Sequence, residues 1–366
     1  MKTGMNLTEL RDEIARIERE KADYTAPSRR LSMELHTPVF GEEGAENDSP
    51  PIPVIDMEGV RTFGIKDHAH AQLADKLGIP KRYYDKMRDE TPELLRTNVN
   101  HWFQTAPEDE VRLVRTLDGD VRAFLTNAYR PIDNIVVAKA AVPALADMEV
   151  RVMSCQVTER RLYLQAVLPK LEGEIRVGEV VQAGVVISNS EVGCGAFNIQ
   201  TMIYTLACTN GMIRSSLLNK YHVGRRFGDA ESAGMITFAD DTRKAENEAL
   251  TLQTRDLVQQ ALSEAHFQGE LKQLQVAAGM ELPAASSVPI IEEVTRRIDL
   301  SKDEQKDVLG RFIEAGDFTK LGIANAVTNL ANDVDSYDRA VDLEAAGSKV
   351  IDIPDGEWSK LMRLAA

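Results

Sequence analysis

The sequence predicts an α+β protein, with a mainly antiparallel β-sheet core of hairpin, helix and β-meander, a helical N-terminal subregion and a helical C-terminal region. Three observations lead to that class. Period-two alternation of apolar residues is concentrated between residues 111 and 207. Helical spacing dominates from Asp240 onward, and four strand-like runs follow one another as a meander, which implies antiparallel pairing. A chain of 366 residues with 43% hydrophobic and 28% charged side chains can bury a sizeable core and leaves room for a second unit.

Taken in order, Leu7, Leu10, Ile14 and Ile17 recur among charges, predicting an exposed amphipathic helix over 7–21 that is free to pack on a partner subunit. Thr37 to Pro53 (TPVFGEEGAENDSPPIP) is rich in proline, glycine and acid and reads as a linker, so the folded part is expected to begin near Val54. Asp67 is placed to cap a helix through Ala69, Leu73, Ala74 and Leu77, which Gly78 and Pro80 stop. A helix restarts at Lys81, and Thr91-Pro92 opens another that runs through Leu95 and Val99 to Trp102 and Phe103. Asp118-Gly119 suits the positive φ angles of a tight turn between Val111–Thr116 and Val121–Thr126.

Ile132 to Met148 returns to helical spacing. Strand-like runs follow at Glu149–Val157, Arg160–Leu168, Val180–Ser188 and Ala196–Ala207, and Asn210-Gly211 supplies a further turn. In the tail, Ser301 and Glu304 form a capping box ahead of Val308, Leu309 and Phe312. This organisation divides the chain into an N-terminal helix and acidic linker (1–53), an α+β core domain (54–228) and an acidic helical C-terminal region (229–366).

No run approaches the roughly 20 apolar residues of a membrane helix, and Met1 to Glu20 has no apolar signal region. A cytoplasmic protein without membrane partners is therefore expected. Three cysteines, Cys155, Cys194 and Cys208, form no C-x-x-C pair and fit a reducing compartment, with neither zinc nor another cofactor implied. The net charge of −15 opposes simple polyanion binding, yet it divides unevenly: −7 over 1–150, +4 over 151–226 and −12 over 227–366. The positive middle is either an anion-binding surface or a sheet core whose helical flanks carry the acids.

Several segments carry a family resemblance: HAHAQLADKLGIPKRYYDKM (68–87), VNHWF (99–103), VRAFLTNAYRPIDN (121–134), SNSEVGCGAF (188–197), TLACTNGMI (205–213), YHVG (221–224) and GIANAVTNLANDV (322–334). Over roughly residues 54–360 the chain resembles the phage/plasmid-like protein family classed as domain of unknown function 932. The resemblance implies a mobile-element origin and a host-cytoplasmic setting, and it assigns no chemistry. A weaker likeness of the hairpin, helix and antiparallel sheet to phage single-strand annealing recombinases is fold analogy, and it implies a homo-oligomer.

Strand parity supplies the candidate interface, because alternate residues face opposite sides of a sheet. In the second strand of the meander Leu162, Leu164, Ala166 and Leu168 form the apolar face, and Arg161, Tyr163 and Gln165 lie opposite. In the next two strands Val181, Ala183, Val185, Ile187, Phe197, Ile199 and Ile203 oppose Gln182, Gly184, Val186, Ser188, Asn198, Gln200 and Tyr204. A face of tyrosines, amides and arginine without carboxylates suits single-stranded nucleic acid, whose bases stack on rings for roughly 1–3 kcal/mol each. Arg214, Lys220, Tyr221, Arg225 and Arg226 follow the last strand and extend the cationic track. Cover of this face by the C-terminal helices is the competing structural explanation.

The leading expectation is thus a non-catalytic nucleic-acid-binding protein, of single-strand binding or annealing type, in phage or plasmid replication or recombination. One alternative is a protein-interaction module in which the acidic helices or the Leu7 helix engage a host protein. A second is a Cys–His hydrolase using Cys208, His222 and an orienting Asn189 or Asn210, although a buried thiol is the commoner explanation of a cysteine in an apolar strand ending. His68 and His70, with His101 and Asp67 or Asp75, contain metal-ligating residue types, but positions two apart on a helix diverge. Gly193-Cys194-Gly195 is too short for a phosphate loop and is expected to permit a bulge or sharp turn between strands, and Trp102-Phe103 is read as core packing at a helix end.

Overall fold

The computed structural model describes residues 1–37, 51–59, 61–207, 209–220, 240–283 and 287–364, and two antiparallel-dominated sheets with surrounding helices give the α+β class. Asp118 and Gly119 take φ values of 55° and 84°, the pair of positive angles that lets β5 (Val111–Leu117) and β6 (Asp120–Thr126) close as a tight hairpin. That hairpin does not join the meander. It sits inside a six-stranded sheet of order β1-β5-β6-β4-β3-β2, with β1 at Ala22–Pro27, β2 at Leu31–His36, β3 at Ile52–Met57 and β4 at Arg61–Ile65. β4 and β6 pair in parallel, and the other neighbours are antiparallel. Two strands therefore precede Val54, in a region read from sequence as helix and linker. Of that linker, residues 38–50 lie outside the described residues, while Ile52 and Pro53 open β3.

Helices α2 (Asp67–Lys76), α3 (Lys81–Glu90) and α4 (Pro92–Thr105) bury Leu73, Tyr84, Met87, Leu95, Val99 and Phe103 with Met33, Ile55, Val114 and Phe124 of this sheet. Pro92 holds the first helical position of α4, where its missing N–H costs nothing. Asp67 lies in the first turn of α2; the N-cap is Lys66, which supplies no side-chain acceptor.

α5 (Asn134–Ala146) leads into the second sheet, an antiparallel meander of order β11-β10-β9-β8-β7. Its strands are β7 (Arg151–Val157), β8 (Leu162–Glu174), β9 (Val180–Asn189), β10 (Phe197–Thr205) and β11 (Asn210–Lys220). Asn210 and Gly211 belong to β11, and the turn before them contains Thr209 at φ 51°. The stripe Leu10, Ile14 and Ile17 of α1 (Leu7–Glu20) is buried in the chain's own core and is not free for a partner.

The C-terminal helices are α6 (Asp240–Ala261), α7 (Glu264–Ala278), α8 (Ser287–Arg297), α9 (Lys302–Ala315), α10 (Lys320–Leu330), α11 (Tyr337–Ile351) and α12 (Asp355–Leu364). α6 packs on β9–β11, α7 on β8, and α10 and α11 on β11. The resulting core runs from Leu10 to Leu361, so the meander and the C-terminal helices share one interior. The capping box at α9 is formed, with Ser301 Oγ accepting from Glu304 N and the Glu304 carboxylate accepting from Ser301 N. Among the described residues no helix is long and apolar enough to cross a membrane.

Candidate functional site

The parity of β8 is as the sequence predicts: Leu162, Leu164 and Ala166 enter the main core, and Tyr163 and Val167 lie in a separate apolar cluster on the other face. That second face is not open to solvent, because α11 lies across it. Tyr163 Oη donates to the Asp338 carboxylate at 2.8 Å, Gln165 Nε2 donates to Glu344 at 2.6 Å, and Tyr204 packs in one cluster with Tyr337 and Val341. Gln200 is half-buried within β10. Arg214, its side chain 3% exposed, is enclosed by Glu270 at 2.7 Å and Asp352 at 3.1 Å. Arg161 Nη2 donates to the Cys194 carbonyl at 2.6 Å. Tyr163, Gln165 and Arg214, which would suit a nucleotide, are satisfied by carboxylates of the C-terminal helices instead, since a hydroxyl, an amide and a guanidinium match carboxylates equally well. The side chain of Lys220, and all of Tyr221, Arg225 and Arg226, lie outside the described residues.

The Cys208–His222 pairing also falls outside the described residues. Its suggested orienters are otherwise employed: Asn189 Nδ2 donates to the Ile132 carbonyl and to Asn134 Oδ1, and Asn210 Oδ1 accepts from Asn332 at 3.1 Å. His68 and His70 diverge. The His70 ring meets Tyr84 Oη at 2.8 Å inside the first core, and burial, assisted by Arg88, pushes its pKa down to about 4. His101 packs edge-on against the exposed Trp102, whereas Phe103 is buried, so that aromatic pair splits between surface and core. Among the described residues no group of three His, Cys, Asp or Glu side chains is placed to hold a metal ion.

Among the described residues a constellation of reactive groups lies where the two sheets meet, on the segment 190–196 between β9 and β10. Gly193 takes φ 79°, a left-handed conformation that favours glycine, and a Cβ there would lie 2.8 Å from Leu125 Cδ2 and 3.2 Å from Gln72 Nε2. The segment is tied down on several sides. Gln72 Nε2 donates to the Val192 carbonyl at 2.7 Å, Arg115 Nη1 to the Glu191 carbonyl at 2.7 Å, and Cys194 N to Ser190 Oγ at 2.9 Å. Held in this way, the half-buried Cys194 places Sγ 3.2 Å from Nε2 and 3.4 Å from Nδ1 of His68, and 3.3 Å from Arg160 Nε.

His68 Nε2 is also 3.0 Å from the Val192 carbonyl oxygen, which only accepts. The Nε2–H tautomer is thereby favoured, with Nδ1 unprotonated and 3.4 Å from Sγ. Burial would raise the Cys194 pKa, but hydrogen bonds from His68 and Arg160 bring it below that of an ordinary thiol. The mirror effect acts on His68: burial works against its charged form, and the thiolate partner more than reverses this, so its pKa is raised. Cys155 is the contrast, fully enclosed and without a charged neighbour, its pKa pushed up to about 11.

Behind the thiol lies a buried ionic layer. Arg115, with its side chain wholly enclosed, bonds Asp23 and Asp133 at 2.8 Å each, and Arg122 bonds Glu191 at 2.7 Å. A cavity of about 210 Å³ opens beside it, with His68, Arg122, Arg160 and Glu191 in its wall. His68 and Gln72 come from segment 68–87, Arg122 and Asn134 from 121–134, and Cys194 from 188–197. Nothing local in the sequence pairs Cys194 with His68, which lies 126 residues away. No family model matches the chain, nor does any curated protein or solved structure.

Proposed function

We propose that the chain acts through a thiolate at Cys194, which attacks an electrophilic carbon of a small substrate with His68 as proton acceptor, in the manner of a cysteine hydrolase. The observation that carries this reading is the seat of Sγ within 3.4 Å of the His68 ring nitrogens and of Arg160 Nε, beside a cavity. In the first step the Sγ–C bond forms and the bond to the leaving group breaks, the leaving group taking the proton held at His68 Nδ1. Water then attacks the thioester as His68 accepts its proton. The Sγ–C bond breaks, releasing the acid and restoring the thiol.

The test is peptide-resolved alkylation of the full chain by iodoacetamide as a function of pH. Cys194 is expected to react with a midpoint below that of an ordinary thiol while Cys155 stays inert, and His68→Asn is expected to slow Cys194 about tenfold at neutral pH. A Cys194 profile matching free cysteine, unmoved by His68→Asn, would sink the thiolate.

A second reading is non-catalytic binding of single-stranded nucleic acid in phage or plasmid replication or recombination. It is supported by Lys220, which ends β11, and by Tyr221, Arg225 and Arg226, which follow it in the sequence, in the 151–226 region of net positive charge. Fluorescence anisotropy with labelled single strands should then show salt-sensitive binding that Arg225→Ala/Arg226→Ala removes. No binding at low salt ends this reading.

A further inference from the structure

We infer that Glu344 is a proton-operated latch: its carboxyl, when protonated, holds α11 on the second face of β8, and loss of that proton loosens the helix. The latch stands apart from Cys194 and does not rest on the thiolate reading. Glu344 is 1% exposed. Its Oε2 accepts from Gln165 Nε2 at 2.6 Å, and its Oε1 is buried with no hydrogen-bond partner among the described residues. The carboxyl lies against Gly211, where a Cβ would stand 3.6 Å from Oε1 and 2.9 Å from the Met202 sulfur. A carboxylate taken out of water with one neutral donor is disfavoured against its own acid. Burial accordingly raises the Glu344 pKa to about 7, against the opposing pulls of the Met1 amino group and Gln165. The hydrogen-bond partners suit the acid as well. With the Gln165 amide turned over, its oxygen would accept from a Glu344 hydroxyl and its nitrogen would donate to Tyr337 Oη, which lies 3.4 Å from that end of the amide.

The other charges around α11 are matched elsewhere. The amino group of Met1 faces Glu344 but hydrogen-bonds the Thr209 carbonyl and Asn332 Oδ1, and burial lowers its own pKa, which weakens it as a counter-charge. Asp333, in the turn after α10, pairs with Arg311 of α9, and Lys320 at the start of α10 donates to the Ile353 carbonyl. Arg214 of β11 pairs with Glu270 of α7, which His266 approaches at 3.5 Å. On β8 Tyr163 donates to Asp338, and on β7 Ser154 meets Tyr337 Oη, a phenol that burial keeps neutral by pushing its pKa up. On α11 itself Arg339 pairs with Glu304, while Asp342 and Lys349 are exposed. An undocked Glu344 ionises near the ordinary value of 4.5, whereas the docked carboxyl keeps its proton to about 7. Docking of α11 is therefore tightest at acid pH, weakens as pH rises from about 4.5 to about 7, and changes no further above that.

The experiment is amide hydrogen exchange of α11 in the full chain, for the unsubstituted protein and for Glu344→Gln, which keeps the shape of the acid and cannot ionise. Each pair is compared at one pH, so the intrinsic pH dependence of exchange and the titration of other groups cancel. Relative to Glu344→Gln, the opening equilibrium of α11 is expected to rise about tenfold between about pH 5.5 and about pH 7.5. Parallel pH dependence in the two proteins would overturn the latch. Infrared spectroscopy decides the matter if Glu344→Gln does not fold. The stretch of a buried protonated carboxyl should fade with a midpoint near pH 7, and Gln165→Leu, which removes the donor to the carboxylate, should move that midpoint up. A carboxyl that titrates in the ordinary range, or one near 7 that Gln165→Leu leaves unmoved, would overturn the latch by itself.

Discussion

Arg115 shows most plainly how single residues in this protein depend on what surrounds them. Its side chain is fully enclosed and holds Asp23 and Asp133, while Lys21 shares the latter at 2.7 Å. Arg115→Ala would leave two carboxylates facing an emptied site, and the expected loss of stability is about 3–5 kcal/mol in urea denaturation. A loss under about 1 kcal/mol would mean that water replaces the guanidinium and that the layer is not dry. Burial of this kind has no sequence marker, since alternation in Val111–Leu117 places Arg115 at a strand position where an arginine ordinarily reaches solvent. His70 carries the same lesson with a sign. Its pKa, lowered to about 4 by burial and Arg88, makes its neutral form part of the folded state. That stability is present above the ordinary histidine value of about 6.5 and is lost as pH falls from there toward 4.

At the scale of elements, what is local in cause was legible. The hairpin turn at Asp118-Gly119, the proline start of α4 and the capping box of α9 each follow from two or three adjacent residues, and each forms. The α9 box also does more than cap. Glu304, accepting from Ser301 N, is clamped by Arg339 of α11 at 2.7 and 2.8 Å, and that pairing holds its pKa at about 2. Ser301→Ala is expected to cost about 1 kcal/mol, read as a lowered urea midpoint with unchanged slope. The Glu304 contribution is present above the ordinary carboxylate range and is lost as pH falls toward 2. Less legible were β1 and β2, six residues each at the two edges of the six-stranded sheet, where alternation is too brief to stand out and Pro27 and the 28–30 turn interrupt it.

For the molecule as a whole, the decisive fact is that α6, α7, α10 and α11 complete the interior of the meander. A chain ending at residue 228 would expose Leu162, Val185, Ile199 and their neighbours, each worth roughly 1.5–3 kcal/mol when buried. Such a fragment is expected to aggregate or lack a cooperative melt in differential scanning calorimetry; a soluble fragment melting as one unit would show that the sheet closes its core without those helices. Local pattern alone determined the fold class, the hairpin turn at Asp118-Gly119, the starts of α4 and α9 and the two faces of β8, β9 and β10, because these depend on residues a few positions apart. Only the tertiary structure decided that the polar face of β8 lies under α11, that the six-stranded sheet takes in strands from ahead of residue 54, and that Cys194 meets His68. Periodicity tells which side chains share a face, but what covers that face, and which thiol meets which imidazole, depends on contacts between residues more than a hundred positions apart.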